Sequence, residues 1–217
     1  MPRPTIFYFP LRGRAEVIKL VLSYAKVEFD VENIDYNVMK KDRTLYPFGQ
    51  CPRFADGVVD ICQSNTILRY LARKYDLNGK AEADTCAVDM IMEGVESLRI
   101  KYVNLIYNDK LEESAMEKYW QDHFDASTTE GRNGGAHMLY LRSYIKESGF
   151  CLESGISMAD FCLFDLVDLH IRIFEDKMNS IFPDLVEFHA RMSELPGVKE
   201  YVAGPLRLAR INGNDLG

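Results

Sequence analysis

Two positions in the chain have side chains that could bind and activate an anionic ligand. Tyr8 lies near the end of the apolar run from Thr5 to Phe9, and Ser64 opens an amphipathic stretch. A tyrosine hydroxyl has a pKa of about 10, so at pH 7 it keeps its proton and can donate a hydrogen bond to an anion. The first backbone N–H groups of a helix lack partners within that helix and attract carboxylates. The alternatives are structural: Tyr8 could be a core aromatic residue, and Ser64 could simply cap its helix.

The elements that would position these two residues follow from the spacing of apolar side chains. Apolar residues at a period near 3.6 predict helices, and short continuous apolar runs predict buried strands. The first part of the chain accordingly predicts a strand at 5–9, a helix through Val17, Leu20, Val21 and Tyr24, a strand at 27–34, a hairpin of 53–56 and 58–62, and a helix capped by Ser64. The order is βαβ followed by ββα.

The rest of the chain is predicted to be helical. Residues 78–84 are polar and indicate a short linker, after which a helical period runs from Val88 to Ile106. Ser157-Met158-Ala159-Asp160 has the pattern of a capping box, and Pro183 and Pro196 stand where shorter helices could begin. We therefore expect an α+β domain at 1–78 followed by an all-α domain at 85–217.

The charge balance and the cysteine content argue against several classes of function. The 217 residues carry a net charge of −7 and have a pI near 5.2, which disfavours binding to nucleic acids or to an anionic membrane. No run approaches the roughly 20 apolar residues of a membrane span, and the N-terminus lacks the pattern of a secretory signal. The five cysteines include no CxxC pair, which argues against a disulfide framework, a zinc site or a dithiol redox centre. We expect a cytoplasmic protein that holds no metal.

Six segments, taken in order, resemble the cytosolic glutathione transferases and most closely their pi class. They are YFPLRGRAE at 8–16, PFGQCPRFADG at 47–57, QSNTILRYLARKY at 63–75, DMIMEGVESLRIKYVNLIY at 89–107, SMADF at 157–161 and INGN at 211–214. Together they span both predicted domains and nearly the whole chain. The resemblance implies a thioredoxin-like N-terminal domain, an all-helical C-terminal domain and a symmetric homodimer.

The resemblance implies that Tyr8 activates the thiol of glutathione, which would be a co-substrate rather than a cofactor. A free thiol has a pKa of about 8.5, so only a small fraction is thiolate at pH 7. Lowering this pKa by about 2 units requires roughly 2.7 kcal/mol, and one hydrogen bond to a charged group supplies about 1.5–3 kcal/mol. A single donor such as the Tyr8 hydroxyl is therefore nearly sufficient.

The resemblance also assigns residues that would hold the glutathione tripeptide. Gln50, Cys51 and Pro52 would pair with its cysteine like an added strand, through the backbone of Cys51 and with Pro52 in the cis form. The thiol of Cys51 need play no part. Gln63 and Ser64 would bind the γ-glutamyl carboxylate at the helix start.

Five further site residues come from the resemblance, two of them basic and three apolar or aromatic. Arg14 would lie near the γ-glutamyl end of glutathione and Arg43 at its glycyl carboxylate, which arginine can bind bidentately. Arg43 could instead be a solvated surface residue. Phe9, Leu11 and Tyr107 would line the pocket for the electrophile. Tyr107 could donate a proton to the substrate, or could simply pack on its helix.

Two positions depart from the family pattern. A tryptophan that usually binds the glycyl carboxylate is missing, because Trp120 is the only tryptophan and Asn37 or Met39 takes the expected place. Ser97 stands where the family has an aspartate that reaches across the dimer. Losing one charged hydrogen bond costs about 1.5–3 kcal/mol, so we expect weaker glutathione binding with the thiol chemistry retained.

The expected activity is the conjugation of glutathione to small hydrophobic electrophiles, which is a detoxification reaction. A non-catalytic ligand-binding protein (a ligandin) or a crystallin-like relative stays open as the alternative, because fold alone does not determine function. An omega-type transferase would carry cysteine in place of Tyr8. Phe48 resembles the aromatic residue that inserts into the partner subunit of the family's dimers. The turn-rich segment 127–135 resembles an insertion, for which a surface loop is expected.

Overall fold

The chain is organised as two compact units in a computed structural model that describes residues 2–129 and 135–217. The first unit runs from the N-terminus to Tyr75 and also includes Ser193–Ile211, and the second comprises Asp76–Met192 and Asn212–Gly217. Residues 193–211 therefore pack with the first unit, although the sequence analysis assigns them to the helical domain at 85–217.

The first unit is built on a four-stranded sheet with the order β2-β1-β3-β4. Strand β1 (Thr5–Tyr8) is parallel to β2 (Asp30–Asn33) and antiparallel to β3 (Arg53–Ala55). Strand β3 is in turn antiparallel to β4 (Asp60–Cys62). This mixed sheet confirms the predicted βαβ-ββα order.

Helices accompany the sheet in the first unit and make up most of the second. In chain order they are α1 (Glu16–Tyr24), α2 (Tyr36–Lys41), α3 (Ser64–Lys74), α4 (Glu82–Tyr107), α5 (Glu113–His123), α6 (Met138–Arg142), α7 (Met158–Ile173), α8 (Glu175–Ile181), α9 (Pro183–Ser193) and α10 (Val198–Ala203). The 3-10 helices Gly13–Ala15 and Ala126–Thr128 accompany them. Helices α1, α2, α3 and α10 belong to the first unit, where α10 packs against α1.

Strand β2 is shorter than the predicted strand at 27–34, because the end of α1 uses the residues before it. Lys26 has a φ of 55°, its N–H donates to the carbonyl of Ser23, and the N–H of Val27 donates to the carbonyl of Leu22. These two bonds form a Schellman motif, which closes a helix with a left-handed residue. Pairing with β1 begins only at Asp30.

The start of α3 also differs by one residue from the prediction that Ser64 caps it. Ser64 is already the first helical residue, and Gln63 precedes it with a φ of 71°. The positive φ of Gln63 turns the chain sharply out of β4, so the helix begins immediately after it. Ser64 thereby contributes its backbone N–H to the exposed end of the helix.

The second unit has its core around α7, whose residues from Met158 to His170 are all buried. The predicted capping box is present, since the Asp160 carboxylate accepts hydrogen bonds from the N–H and the hydroxyl of Ser157 at 2.7 and 2.8 Å. Helix α9 begins at Pro183 as predicted, whereas α10 begins two residues after Pro196. In the described parts of the chain, no helix has the length and apolarity needed to cross a membrane. Residues 130–134 of the predicted insertion at 127–135 lie outside the described residues.

Candidate functional site

Tyr8 is the last residue of β1, where the chain leaves the sheet toward α1. Its side chain is 6% exposed. The hydroxyl oxygen accepts a hydrogen bond from the backbone N–H of Arg14 at 3.0 Å. The hydroxyl is thus held by a backbone N–H of the 3-10 turn that precedes α1.

The turn that reaches Tyr8 depends on a glycine. Gly13 has a φ of 42°, and a Cβ atom added to it would clash with the Tyr8 hydroxyl and lie 2.7 Å from Cδ1 of Leu11. The absence of a side chain therefore lets the backbone approach the hydroxyl closely. The sequence analysis did not single out Gly13, although a glycine between two arginines directly before a helix is a signal for such a turn.

Gln50, Cys51 and Pro52 lie together directly before β3. The Cys51-Pro52 peptide bond is cis, as predicted. Burial raises the pKa of the Cys51 thiol to about 12, so the thiol stays protonated near neutral pH and is a poor nucleophile. This agrees with the expectation that Cys51 contributes only its backbone.

Gln63 and Ser64 lie beside that segment. The side-chain amide of Gln63 donates to the side-chain carbonyl of Gln50 at 3.0 Å, so two of the predicted glutathione-binding stretches are in direct contact. The positive φ of Gln63 is a conformation that costs a non-glycine residue about 1–3 kcal/mol and is concentrated at functional sites. Ser64 is half-buried at the N-terminus of α3, where backbone N–H groups and the helix dipole favour an anion.

The two predicted arginines are both in the first unit. Arg14 is half-buried, and the contact it makes to Tyr8 comes from its backbone. Arg43 is exposed. Its guanidinium group lies so close to the α-carbon of Gly49 that a Cβ added there would clash with it. Arg43 therefore lies one residue away from Gln50, although its segment carries only a weak sequence pattern.

The residues predicted to contact the electrophile are divided between the two units. Leu11 is buried and Phe9 is half-buried in the first unit, and the rings of Phe9 and Tyr8 have centroids 6.0 Å apart. Tyr107 is the last residue of α4 in the second unit and is 44% exposed. Its hydroxyl oxygen accepts a hydrogen bond from the N–H of Gly213 at 2.8 Å.

The positions that depart from the family pattern have ordinary structural roles. Trp120 is buried in the second unit and stacks on Phe124 with ring centroids 4.6 Å apart. Ser97 donates its hydroxyl to the carbonyl of Glu93 within α4 at 3.0 Å. Met39 is buried in α2, and Asn37 is exposed at the start of that helix. Of the two residues at the place of the missing tryptophan, Asn37 is therefore the polar and accessible one.

Comparisons with known proteins agree with the two-domain fold. Family models described as the N-terminal and the C-terminal domain of glutathione S-transferase match residues 4–73 and 97–205. A glutathione S-transferase of Dirofilaria immitis is 37% identical over 196 residues, covering 90% of both chains. Glutathione S-transferase P 1 of Bufo bufo is 33% identical over 216 residues, covering 98% of both.

The solved structures lead to the same family. The structure of a pi-class glutathione S-transferase of Onchocerca volvulus matches with a TM-score of 0.80 at 32% identity, covering 99% of each chain. The chain therefore belongs to the glutathione S-transferase family, with a thioredoxin-like N-terminal domain and a helical C-terminal domain. Since these relatives carry the names of transferases, the membership favours the enzyme over the ligand-binding or crystallin-like alternative.

Proposed function

We propose that Tyr8 is the residue with which this glutathione transferase converts the thiol of bound glutathione into a thiolate. The observation that carries the proposal is the buried Tyr8 hydroxyl, which accepts the Arg14 N–H at 3.0 Å. A hydroxyl that accepts a hydrogen bond at its oxygen donates more strongly through its own proton, because the two bonds polarise each other. Burial strengthens that donation further by keeping bulk water away.

In the reaction, the thiolate sulfur attacks an electrophilic carbon and forms a carbon–sulfur bond. The leaving group departs with its electron pair, and the thiol proton has already gone to solvent. Tyr8 keeps its own proton and donates a hydrogen bond to the sulfur, which is worth about 1.5–3 kcal/mol for a charged acceptor. This lowers the thiol pKa by about 1–2 units.

The tripeptide would be held by the segments around Gln50 and Ser64. The contact between the Gln63 and Gln50 side chains supports a single continuous surface that runs from the backbone of Cys51 to the start of α3. Arg14 and Arg43 would add positive charge to a chain that is otherwise acidic. Glutathione is the co-substrate, and it would be positioned by these groups before the electrophile reacts.

The electrophile would be a small apolar molecule. Phe9 and Leu11 support this because they place apolar surface next to Tyr8 in the first unit. Tyr107 would contact the electrophile and donate a proton where charge develops on a substrate oxygen. Detoxification of such molecules is the physiological role that this chemistry fits.

Replacing Tyr8 by phenylalanine tests the proposal. We expect kcat/KM for the conjugation of glutathione to an aryl halide to fall about 10- to 150-fold near neutral pH, which is 1.5–3 kcal/mol. The loss should shrink as the pH rises above the pKa of free glutathione. Tyr24→Phe, at the other end of α1, is the matched control. A Tyr8→Phe variant that equals the wild type from pH 6 to pH 8 would exclude the role of Tyr8.

A homodimer in the cytoplasm is the assembly we propose. Phe48 is 66% exposed in the first unit and Met90 is 55% exposed on α4, so both present apolar surface that a partner subunit could cover. The cysteines are unpaired, as in proteins of a reducing compartment. Sedimentation should give twice the monomer mass and a weaker dimer for Phe48→Ala. A monomeric wild type would contradict the dimer, and cell fractionation tests the location.

A further inference from the structure

A C-terminal segment of the first unit is bonded to the turn that contacts Tyr8. We call residues 12–14 the turn and residues 207–211 the strap. The N–H groups of Arg12 and Gly13 donate to the carbonyls of Arg210 and Ile211 at 2.9 and 3.1 Å. The Nε of Arg12 donates to the carbonyl of Leu208 at 2.5 Å. The turn and the strap are therefore joined by three hydrogen bonds.

The strap is itself held on α1 by a buried ion pair. Glu16 is fully buried, and its carboxylate accepts the Nε of Arg207 at 2.9 Å. The same carboxylate accepts the hydroxyl of Tyr201, on α10, at 2.8 Å. Glu16 is the first residue of α1, where the helix dipole also favours a negative charge.

On its other side, the turn contacts the Tyr8 hydroxyl. Arg14, the last residue of the turn, donates its N–H to that hydroxyl, and Gly13 lies too close to it for a side chain. Buried Lys19 on α1 adds a longer contact of 3.5 Å from its Nζ to the carbonyl of Leu11. The position of the Arg14 N–H is thus set by neighbours on both sides, and a displacement of the strap would move it.

Stability alone gives a weak reason for this arrangement. Replacing a buried ion pair by apolar residues of similar volume is often neutral or stabilising. A buried carboxylate with two donors does, however, fix the direction of both partners, because each bond has a strict geometry. The pair joins positions that are 191 residues apart in the sequence, so it fixes the place of the strap in a way that local structure does not.

We propose that Arg207 is a positioning residue for the transferase reaction. By holding the strap on Glu16, it fixes the turn whose Arg14 N–H orients the Tyr8 hydroxyl toward the thiol of glutathione. The inference rests on the proposed role of Tyr8. Arg207 acts through the backbone and does not touch the substrate.

The test compares Arg207→Met with the wild type in complex with glutathione. The pKa of the bound thiol is measured from the ultraviolet absorbance of the thiolate and from the pH profile of kcat/KM with an aryl halide. We expect this pKa to rise by about 0.5–1 unit, so that kcat/KM below it falls about three- to tenfold. The KM for glutathione should change less than about twofold, and the rates should converge at high pH, where every thiol is ionised.

The matched control is a second buried carboxylate that also accepts a tyrosine hydroxyl and a cationic side chain. Asp56 in the first unit is buried and accepts the Tyr70 hydroxyl at 2.6 Å and the ammonium group of Lys74. Lys74→Met should lower the thermal midpoint as Arg207→Met does but leave the pKa of the bound thiol unchanged. Arg207→Lys keeps the positive charge, so its bound-thiol pKa should lie between those of the wild type and Arg207→Met.

The possible results separate this inference from the proposed function. A bound-thiol pKa in Arg207→Met within about 0.2 unit of the wild type, or an equal rise in Lys74→Met, would overturn the role of Arg207. If Arg207→Met does not fold, Tyr201→Phe is compared with Tyr70→Phe in the same way, with a smaller rise expected only in the former; no rise overturns the inference. A wild type that forms no thiolate contradicts the role of Tyr8 itself.

Discussion

The two tyrosines with proposed chemical roles have the same local hydrogen bond in different surroundings. Tyr8 accepts the N–H of Arg14 at 3.0 Å, and Tyr107 accepts the N–H of Gly213 at 2.8 Å. Tyr8 is 6% exposed, whereas Tyr107 is 44% exposed. A buried hydroxyl meets little competition from water, so its hydrogen bond to an anion is stronger. We therefore expect burial, rather than the backbone contact, to distinguish the tyrosine proposed to activate the thiol from the tyrosine proposed to assist some substrates.

The backbone also approaches the Tyr8 hydroxyl more closely than the Tyr107 hydroxyl. Gly13 has no room for a Cβ beside Tyr8, whereas a Cβ at Gly213 would lie 3.4 Å from the Tyr107 hydroxyl. The surroundings of Tyr8 are therefore tightly packed, and those of Tyr107 can adjust. A tightly packed donor is pre-organised for one geometry, which suits the stabilisation of a charge at a fixed position.

The largest effect is expected when the packing around Tyr8 is broken. Gly13→Ala places a methyl group against the hydroxyl and forces a positive φ on alanine, so the turn must move. We expect at least about a tenfold loss of kcat/KM and about 1–3 kcal/mol less free energy of unfolding. Conjugation assays measure kcat/KM, and denaturant titration measures the free energy of unfolding.

Gly155→Ala is the control that separates strain from contact. Gly155 has a φ of 114° and nothing within 4 Å of an added Cβ, so alanine there meets backbone strain without a clash. It should lose stability and keep its activity. Equal losses of activity in both variants would mean that the closeness of Gly13 to Tyr8 has no catalytic importance.

A smaller and substrate-dependent effect is expected at the exposed tyrosine. Tyr107→Phe should leave the pKa of the bound thiol unchanged, because Tyr107 does not stabilise the thiolate in our proposal. Turnover should fall about two- to tenfold only with electrophiles that develop charge on an oxygen, less than the effect of a fully enclosed general acid. An aryl halide serves as the insensitive substrate. A raised thiol pKa in Tyr107→Phe would erase the distinction between the two tyrosines.

The smallest effect on activity is expected at Cys51. Burial raises the pKa of its thiol to about 12, so Cys51→Ala should change kcat/KM less than about twofold at any pH from 6 to 9. The free energy of unfolding responds differently. The unfolded thiol ionises above about pH 8.5 while the folded one keeps its proton, so this contribution to stability is present below that pH and is lost as the pH rises.

Denaturant titrations of wild type and Cys51→Ala at neutral and alkaline pH measure this difference. From neutral to alkaline pH, the free energy of unfolding should fall less in Cys51→Ala than in the wild type. A large drop of activity in Cys51→Ala would show instead that the thiol takes part in the chemistry, so Tyr8 would not be the sole group acting on sulfur.

Much of the fold could be predicted because the signals for it are local. The apolar period of α1, the capping box of Ser157 and Asp160 and the helix start at Pro183 each depend on residues a few positions apart. The candidate site around Tyr8, Gln50 and Ser64 was proposed because whole motifs resemble a family, and the contact of Gln63 with Gln50 joins two of its segments. Element ends were predicted less well, since α1 is closed by Lys26 and α3 begins directly after Gln63. Both residues adopt positive φ values, which non-glycine residues rarely do.

The sequence by itself determined the order of the elements, the family and the identity of the candidate catalytic tyrosine. Only the tertiary structure decided that residues 193–211 pack with the first unit, that Glu16 is fully buried against Arg207, and that the strap is bonded to the turn beside Tyr8. The physical reason is that periodicity and capping act over one or two helical turns. A buried ion pair between residues 191 positions apart leaves no such pattern, because each partner alone resembles an ordinary surface charge.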